Sequence, residues 1–128
     1  MKPELTLLIC AVGLAFLQVV IAATAATIQV GLPALAGNRD KMPESSGFAG
    51  RAQRAHRNML ESLVLFAVLV LVAVAAGKTN SMTLLGAQVF LWARIVYALV
   101  YYAGIPWLRT GVWAVSVAGL VMIYMQVM

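Results

Sequence analysis

Charged and thiol side chains are scarce in this chain of 128 residues, and each scarcity excludes a class of protein. Asp, Glu, Lys and Arg make up only 10% of the residues, whereas 63% are hydrophobic and the mean hydropathy is +0.95. A soluble domain of this length is not so apolar. The single cysteine, Cys10, has no second cysteine with which to form a disulfide or a thiol metal site. The chain is therefore predicted to be an integral membrane protein.

Several motifs that would point to other functions are also missing from the sequence. It contains no internal repeat, P-loop, metal-ligand spacing or nucleophile elbow, and His56 alone cannot form a metal site. The net charge of +5 does not indicate nucleic acid, because the basic residues lie at predicted helix ends and in loops, without a dense tract. We therefore expect neither a bound metal nor a nucleic-acid partner, and we expect membrane lipid as the surroundings.

Four apolar segments predict four membrane-spanning helices. The first, Leu5 to Val30, would be about 39 Å long, which is enough to cross a hydrocarbon core of roughly 30 Å. A cleaved signal peptide is the alternative for this segment, but the apolar run exceeds a signal core of about 7 to 15 residues. A loop from Gly31 to Gly47 and two short turns separate the segments. The predicted fold is a single all-α membrane domain, residues 1–128, forming an antiparallel four-helix bundle with helices at about 5–30, 46–76, 82–103 and 106–126.

The distribution of basic residues predicts how this bundle is oriented. The side that holds the first and third loops carries most of them: Arg39, Lys41, Arg51, Arg54, Arg57 and Arg109. The opposite side has only Lys2 and Lys78. Because positive charge is enriched on the cytoplasmic side of membrane proteins, the first and third loops are predicted to be cytoplasmic and both termini to lie outside.

A polar stripe opens the second helix, in the run RAQRAHRNMLE. At 100° per residue, five of its side chains fall within roughly 120° of one another. These are Arg51, Arg54, Arg57, Asn58 and Glu61. A stripe that continues into a hydrophobic helix indicates a site at the cytoplasmic rim of the bundle. The alternative is that the arginines only fix orientation, which explains Asn58 and Glu61 much less well.

Arg94 lies well inside the third predicted span, where an arginine is expected to face the bundle and find a partner. Tyr97 and Tyr101 share its helix face, and Glu61 reaches a comparable depth on the second helix. We therefore predict an ion pair between Glu61 and Arg94, which either locks the helices or belongs to a site. Arg109, in the first turn of the fourth helix, makes an electropositive spot that suits an anion, or else a plain interfacial anchor.

One face of the first helix is small and polar. Gln18, Ala22, Ala25 and Gln29 recur on it at helical spacing. Because small residues allow membrane helices to approach closely, this face predicts a contact with protein rather than with lipid.

The run RAQRAHRNMLESLVLF, with the spacing of Arg54, Asn58 and Glu61, resembles the second-helix signature of the MAPEG superfamily, the membrane-associated proteins in eicosanoid and glutathione metabolism. Arg94, Tyr101 and the Arg109–Thr110 pair fit the same pattern, and the resemblance covers essentially the whole chain. It implies a left-handed four-helix bundle that forms a homotrimer, with glutathione bound between subunits near the cytoplasmic side. The stretch GNRDKMPESSGFAGRAQRAHRN is most similar to bacterial members, which implies a bacterial inner membrane.

The resemblance also implies roles for individual residues. It makes Arg109 the catalytic group that stabilises the thiolate of glutathione, the co-substrate. It makes Arg54, Arg57 and Asn58 ligands for the polar groups of the tripeptide, and Glu61 the partner of its ammonium or of Arg94. Because they share the helix faces of these residues, Arg51, Tyr97 and Tyr101 are also expected to belong to the glutathione-binding set. The chemistry is consistent, because arginines bind carboxylates in a bidentate manner, a carboxylate holds an amine, and a nearby cation favours a thiolate.

The expected function is that of a glutathione-dependent transferase or peroxidase acting on a lipophilic electrophile. The alternative is a non-enzymatic protein of the same fold that binds another amphiphile or scaffolds a partner. Three positions depart from the better-known enzymes of the family: Gly31, Trp113 and Val117 stand where those have an arginine, a tyrosine and a polar residue. The two alternatives differ in one structural feature. In the enzyme, the polar stripe and Arg109 converge on an open pocket, whereas in the non-enzymatic protein these side chains are all paired with Glu61 and with one another.

Overall fold

A computed structural model describes residues 1–31, 36–37 and 46–128 of the chain. Four helices make up this part: α1 (Pro3–Val30), α2 (Gly47–Ala75), α3 (Ser81–Ala103) and α4 (Pro106–Val127). All four are long and apolar enough to cross a membrane, and they begin and end within two residues of the bounds predicted from the sequence. Residues 32–35 and 38–45 of the predicted first loop, including Arg39 and Lys41, lie outside the described residues.

The helices form a bundle in which α2 and α3 occupy the centre. Each of these two contacts the other and both of the remaining helices, whereas α1 and α4 make no contact with each other over the described residues. The packing is most extensive within the α3–α4 hairpin, and the α1–α2 pair comes next. The predicted all-helical membrane bundle is thus confirmed.

Two glycines bring α3 and α4 unusually close. A Cβ placed on Gly119 would lie 2.7 Å from the carbonyl oxygen of Gly86, and one placed on Gly86 would lie 2.8 Å from the carbonyl oxygen of Gly119. Real Cβ atoms do not approach backbone so closely. Small residues at helix contacts are the usual means of tight packing in membranes, where lipid offers no hydrophobic driving force.

The middle of the bundle is an apolar core. The rings of Phe66 on α2 and Phe90 on α3 are stacked there, with centroids 4.2 Å apart, and both side chains are fully buried. Ala11 and Ala15 of α1 pack against the same cluster. Because these alanines are small, α1 can approach the two central helices closely.

At the end of the bundle that holds both termini, polar side chains connect the helices. Asn80 caps α3, and its side-chain amide nitrogen also donates to Gln126 Oε1 of α4 at 2.9 Å. Glu4 of α1 is buried and accepts a hydrogen bond from Thr83 Oγ1 of α3 at 2.8 Å. These bonds fix the register of α1 and α4 against α3.

At the opposite end of the bundle lie the start of α2, the end of α3 and the start of α4, because neighbouring helices in the chain run antiparallel. Gln29 Nε2 donates to the carbonyl oxygen of Ser46 at 2.9 Å, and this bond fixes the antiparallel register of α1 and α2. Gly104 ends α3 with a φ of 77°, a left-handed conformation that suits glycine, and Pro106 begins α4. The polar stripe of α2 and Arg109 therefore lie at the same end of the bundle.

Candidate functional site

Tyr101 is the centre of a cationic cluster contributed by three helices. Arg54 Nε of α2 donates to the Tyr101 hydroxyl at 3.2 Å. On the ring face, the guanidinium carbon of Arg109 of α4 lies 4.6 Å from the Tyr101 centroid, within the range of a cation–π contact. Tyr101 itself is buried on α3. One aromatic side chain thus positions two guanidinium groups from different helices.

Arg94 extends the cluster toward the middle of the bundle. Its side chain is only 1% exposed, and its Nη2 donates to Asn58 Oδ1 of α2 at 2.8 Å. The guanidinium also lies 4.2 Å from the centroid of Tyr97, whose ring is in turn 5.6 Å from that of Tyr101. A continuous chain of contacts therefore runs from Asn58 through the arginine and the two tyrosines.

The predicted ion pair between Glu61 and Arg94 is not formed in the single chain. Over the residues that the structure describes, Arg94 Nε and Nη1 have no hydrogen-bond partner, Nη2 is bound to Asn58, and Glu61 is exposed. Glu61 follows Asn58 by three positions, so the two lie about 60° apart around α2. The amide of Asn58 therefore faces α3, whereas the carboxylate of Glu61 faces a groove beside α4.

The other arginines of the stripe differ in their contacts. Arg51 Nε donates to the carbonyl oxygen of Tyr102 at 3.2 Å, beside Gly104 at the end of α3. Arg57 is exposed on the single chain. The structure therefore brings Arg51, Arg54 and Asn58 to α3, whereas Arg57 and Glu61 remain on the outer part of the stripe.

A cavity of about 170 Å³ opens beside the cluster. Its lining is contributed by all three helices: Asn58, Tyr97, Arg109, Thr110 and Trp113. The described part of the chain has only two acidic residues. One of them, Glu4, is bound to Thr83 at the opposite end, so the cavity lies in a strongly positive region.

A second cavity of about 190 Å³ shares Asn58 and Trp113 with the first and continues between α2 and α4. Its walls become apolar at Leu65, Val117 and Leu120. Two of its polar lining residues, Ser62 and Ser116, are not among the site residues predicted from the sequence. Ser116 follows Arg109 by seven residues and thus shares its helix face, and this spacing alone would have predicted that Ser116 lies near the site.

Together the fold and the cluster define a multi-pass membrane protein with a cationic polar site at one end of a four-helix bundle. The model of the MAPEG family matches residues 5–128, and the chain therefore belongs to the MAPEG family. This family includes glutathione transferases and peroxidases as well as other members. The match confirms the resemblance seen in the second helix. No curated protein gives a significant match to the chain.

Proposed function

We propose that the protein is a glutathione-dependent transferase or peroxidase that acts on a lipophilic electrophile. The observation that carries this proposal is the position of Arg109. Its guanidinium lines the cavity shared with Asn58 and Tyr97 and rests on the ring of Tyr101, so within the described part of the chain its charge faces open space instead of a carboxylate. Glutathione carries two carboxylates and a thiol, and a cation that faces open space suits the thiolate.

The size of the cavity supports a site completed by further copies of the chain. At about 170 Å³, it is smaller than the roughly 300 Å³ or more that pockets for drug-sized ligands enclose, so it would hold only part of a tripeptide. The outer part of the stripe is consistent with this, because Arg57 and Glu61 are exposed on a helix that crosses the membrane. Ionisable residues at such positions are normally covered by protein or water. In the proposed homotrimer, a neighbouring copy covers them and supplies the remaining contacts.

The chemistry that we propose divides the work among the residues. Arg51, Arg54 and Arg57 bind the carboxylates of glutathione, Asn58 and Glu61 bind its amide and ammonium groups, and Tyr97 and Tyr101 hold the arginines in place. Arg109 stabilises the thiolate, whose proton is released to water. In transfer, the thiolate sulfur attacks an electrophilic carbon and forms an S–C bond, while the bond from that carbon to its leaving group breaks and the leaving group departs with the electron pair. In peroxide reduction, it attacks the distal oxygen, an alcohol leaves, and a second glutathione yields the disulfide and water.

The second cavity is the proposed place for the electrophile. It adjoins the first at Asn58 and Trp113, so a molecule there would meet the sulfur next to Arg109. Its walls at Leu65 and Leu120 suit an apolar group but discriminate weakly between similar shapes. This arrangement places a lipophilic substrate on the bilayer side of the thiol.

One observation favours the non-enzymatic alternative, in which the protein binds another amphiphile or scaffolds a partner. The amide oxygen of Asn58 is already bound to Arg94, so this residue has less capacity for a ligand than the stripe predicts. A binding protein that uses the same polar cluster for structure would show this arrangement too.

Binding and chemistry are separable in one experiment on the purified protein. Glutathione and a thiol-free analogue, in which hydrogen replaces the sulfhydryl group, are each titrated while the melting temperature and the ultraviolet absorbance of a thiolate are recorded. We expect both compounds to raise the melting temperature and only glutathione to produce the thiolate signal. Absence of both effects would disprove the proposed function, whereas stabilisation without a thiolate would favour the binding alternative. Native mass spectrometry on the same sample measures the number of chains in the assembly and so tests the proposed homotrimer.

A further inference from the structure

Three polar side chains from three helices are unpartnered on the α1 side of the bundle. They are Gln18 of α1, His56 of α2 and Tyr102 of α3, and Gln18 is only 1% exposed. Among the described residues, both polar atoms of the Gln18 amide, Nδ1 of His56 and the hydroxyl of Tyr102 are buried without a hydrogen bond. Buried polar groups almost always have a partner in native proteins, so four orphaned atoms require an explanation.

The helix register places two of these side chains at one depth. The hydrogen bond between Gln29 and Ser46 aligns α1 with α2. Gln18 precedes Gln29 by 11 residues and His56 follows Ser46 by 10. At 1.5 Å per residue, the two therefore lie about 16 and 15 Å from that bond, which is the same level of the bundle.

The same side chains also share a side of the bundle. Ala49 precedes His56 by seven residues and so lies within about 20° of it around α2. Because Ala49 lines a groove with Ile21 of α1, this face of α2 is turned to α1. The Tyr102 hydroxyl lies next to the Gln18 amide, although the two do not form a hydrogen bond. Gln18 and Tyr102 are therefore adjacent, and His56 lies at the depth of Gln18 on the face of α2 that is turned to α1.

We propose that Gln18, His56 and Tyr102 enclose a binding site for one or two water molecules. An amide offers a donor and an acceptor, a hydroxyl offers both, and a neutral imidazole nitrogen offers one or the other. A buried water molecule typically makes about three hydrogen bonds, which this set supplies. A direct bond between Gln18 and Tyr102 would still leave one amide atom and His56 Nδ1 unpaired. The three groups supply no formal charge when His56 is neutral, so the site takes a neutral molecule, not an ion.

The proposed water would connect α1 to the helix end that carries the cationic cluster. The backbone oxygen of Tyr102 accepts from Arg51, and its ring packs against Phe48 with centroids 5.5 Å apart. Its neighbour in the chain, Tyr101, is the residue on which Arg109 rests. Water bound between Gln18 and Tyr102 would therefore hold the first helix against this end of α3. This site does not depend on glutathione binding.

Radiolytic hydroxyl-radical labelling of the whole protein in lipid nanodiscs tests the proposal, because radicals form from bound water and oxidise the side chains next to it. We expect Tyr102 to be oxidised, while Phe66 and Phe90 of the dry core, both 0% exposed, are not. Gln18→Leu should abolish the oxidation of Tyr102. Gln88→Leu is the matched control and should leave it unchanged, because Gln88 is exposed on the outer side of α3.

Two results would overturn the proposal. Tyr102 that is as unreactive as Phe66 in the wild type would show that the junction is dry. Oxidation of Tyr102 that persists in Gln18→Leu would show that the radicals reach it from another source. If Gln18→Leu fails to fold, the oxidation of His56 is compared between the wild type and Tyr102→Phe instead. We expect His56 to be oxidised only in the wild type. Oxidation of His56 that persists in Tyr102→Phe would contradict the site.

Discussion

Arg94 and Asn58 are bound to each other across the two central helices, with Arg94 Nη2 2.8 Å from Asn58 Oδ1. A buried arginine in a membrane bundle is usually expected to pair with an acid. Here a neutral amide and the ring of Tyr97 take that place. The positive charge of Arg94 is therefore oriented without being neutralised, and it adds to the electropositive character of the neighbouring cavity.

Asn58→Leu should destabilise the protein more than Glu61→Gln. The first change removes the acceptor for a buried guanidinium, at a cost of about 1.5 to 3 kcal/mol. The second changes a side chain to which Arg94 is not bonded in the single chain, so its cost should be smaller. Unfolding of both variants by a graded increase of denaturing detergent gives the two free energies. An equal or larger loss in Glu61→Gln would show that Glu61 supports Arg94 in the assembled protein.

Gly119→Ala should weaken the contact between α3 and α4. The new Cβ would lie 2.7 Å from the carbonyl oxygen of Gly86, so the helices must separate, at a cost of about 1 to 3 kcal/mol for overpacking. Gly111→Ala, on the same helix, is the control because its Cβ would meet nothing within 4 Å. Because alanine has a higher helix propensity than glycine, Gly111→Ala should instead stabilise the fold by up to about 1 kcal/mol. Melting temperatures of both variants, recorded in one detergent, check the contrast.

Two substitutions of Tyr101 separate its hydroxyl from its ring. Tyr101→Phe removes only the acceptor for Arg54, which is worth about 0.5 to 1.5 kcal/mol. Tyr101→Leu also removes the surface on which Arg109 rests, a contact worth about 0.5 to 2 kcal/mol. If the ring positions Arg109, the thiolate signal of bound glutathione should survive in Tyr101→Phe and fall in Tyr101→Leu. Equal signals in the two variants would contradict that role.

Arg109→Leu tests the proposed division between binding and chemistry. If Arg109 contacts only the sulfur, the variant should keep its fold and its stabilisation by glutathione but lose the thiolate signal, because a cation favours the charged nucleophile over the neutral thiol. Lys2→Gln provides a cationic control at the opposite end of the bundle. An unchanged thiolate signal in Arg109→Leu would identify this residue as an interfacial anchor.

The predicted orientation in the membrane is open to cysteine labelling. After Cys10→Ala removes the only native thiol, Trp107→Cys marks the first turn of α4, next to the third loop, and Met128→Cys marks the carboxyl terminus, at positions that are 88% and 78% exposed. An impermeant thiol reagent added to intact bacterial cells should modify the Met128→Cys protein and spare the Trp107→Cys protein until the inner membrane is opened. The reverse pattern would show that the positive-inside rule misassigns this chain.

The helices were readily predicted because a continuous apolar run of the length of a membrane span has few other solutions. The same reasoning correctly placed Arg94 inside the bundle and grouped it with Tyr97 and Tyr101, since residues at i, i+3 and i+7 share a helix face. In the single chain, the partner of Arg94 on α2 is Asn58 and not the predicted Glu61. Depth along a helix is readable from residue counting, but the rotation of α2 about its axis follows from side-chain packing that one sequence does not specify.

Tyr102 shows a second limit of the sequence. Its neighbour Tyr101 was singled out because it shares a face with Arg94, and the 100° step to Tyr102 placed the next ring outside that pattern. Only the position of α1 reveals that this step turns the Tyr102 hydroxyl toward Gln18. Contacts between helices that are distant in the chain depend on the bundle arrangement, which composition and periodicity do not determine.

The close approach of Gly86 and Gly119 determines which helices beside the second cavity can move. Backbones this close cannot slide past each other without a clash, so we expect α3 and α4 to move as a pair. The second cavity, between α2 and α4, is consequently bounded on one side by this pair and on the other by the α1–α2 hairpin. Admission of a bulky lipophilic molecule from the bilayer is therefore expected to require a hinge motion of that hairpin about the turn at Gly77, where φ is +68°.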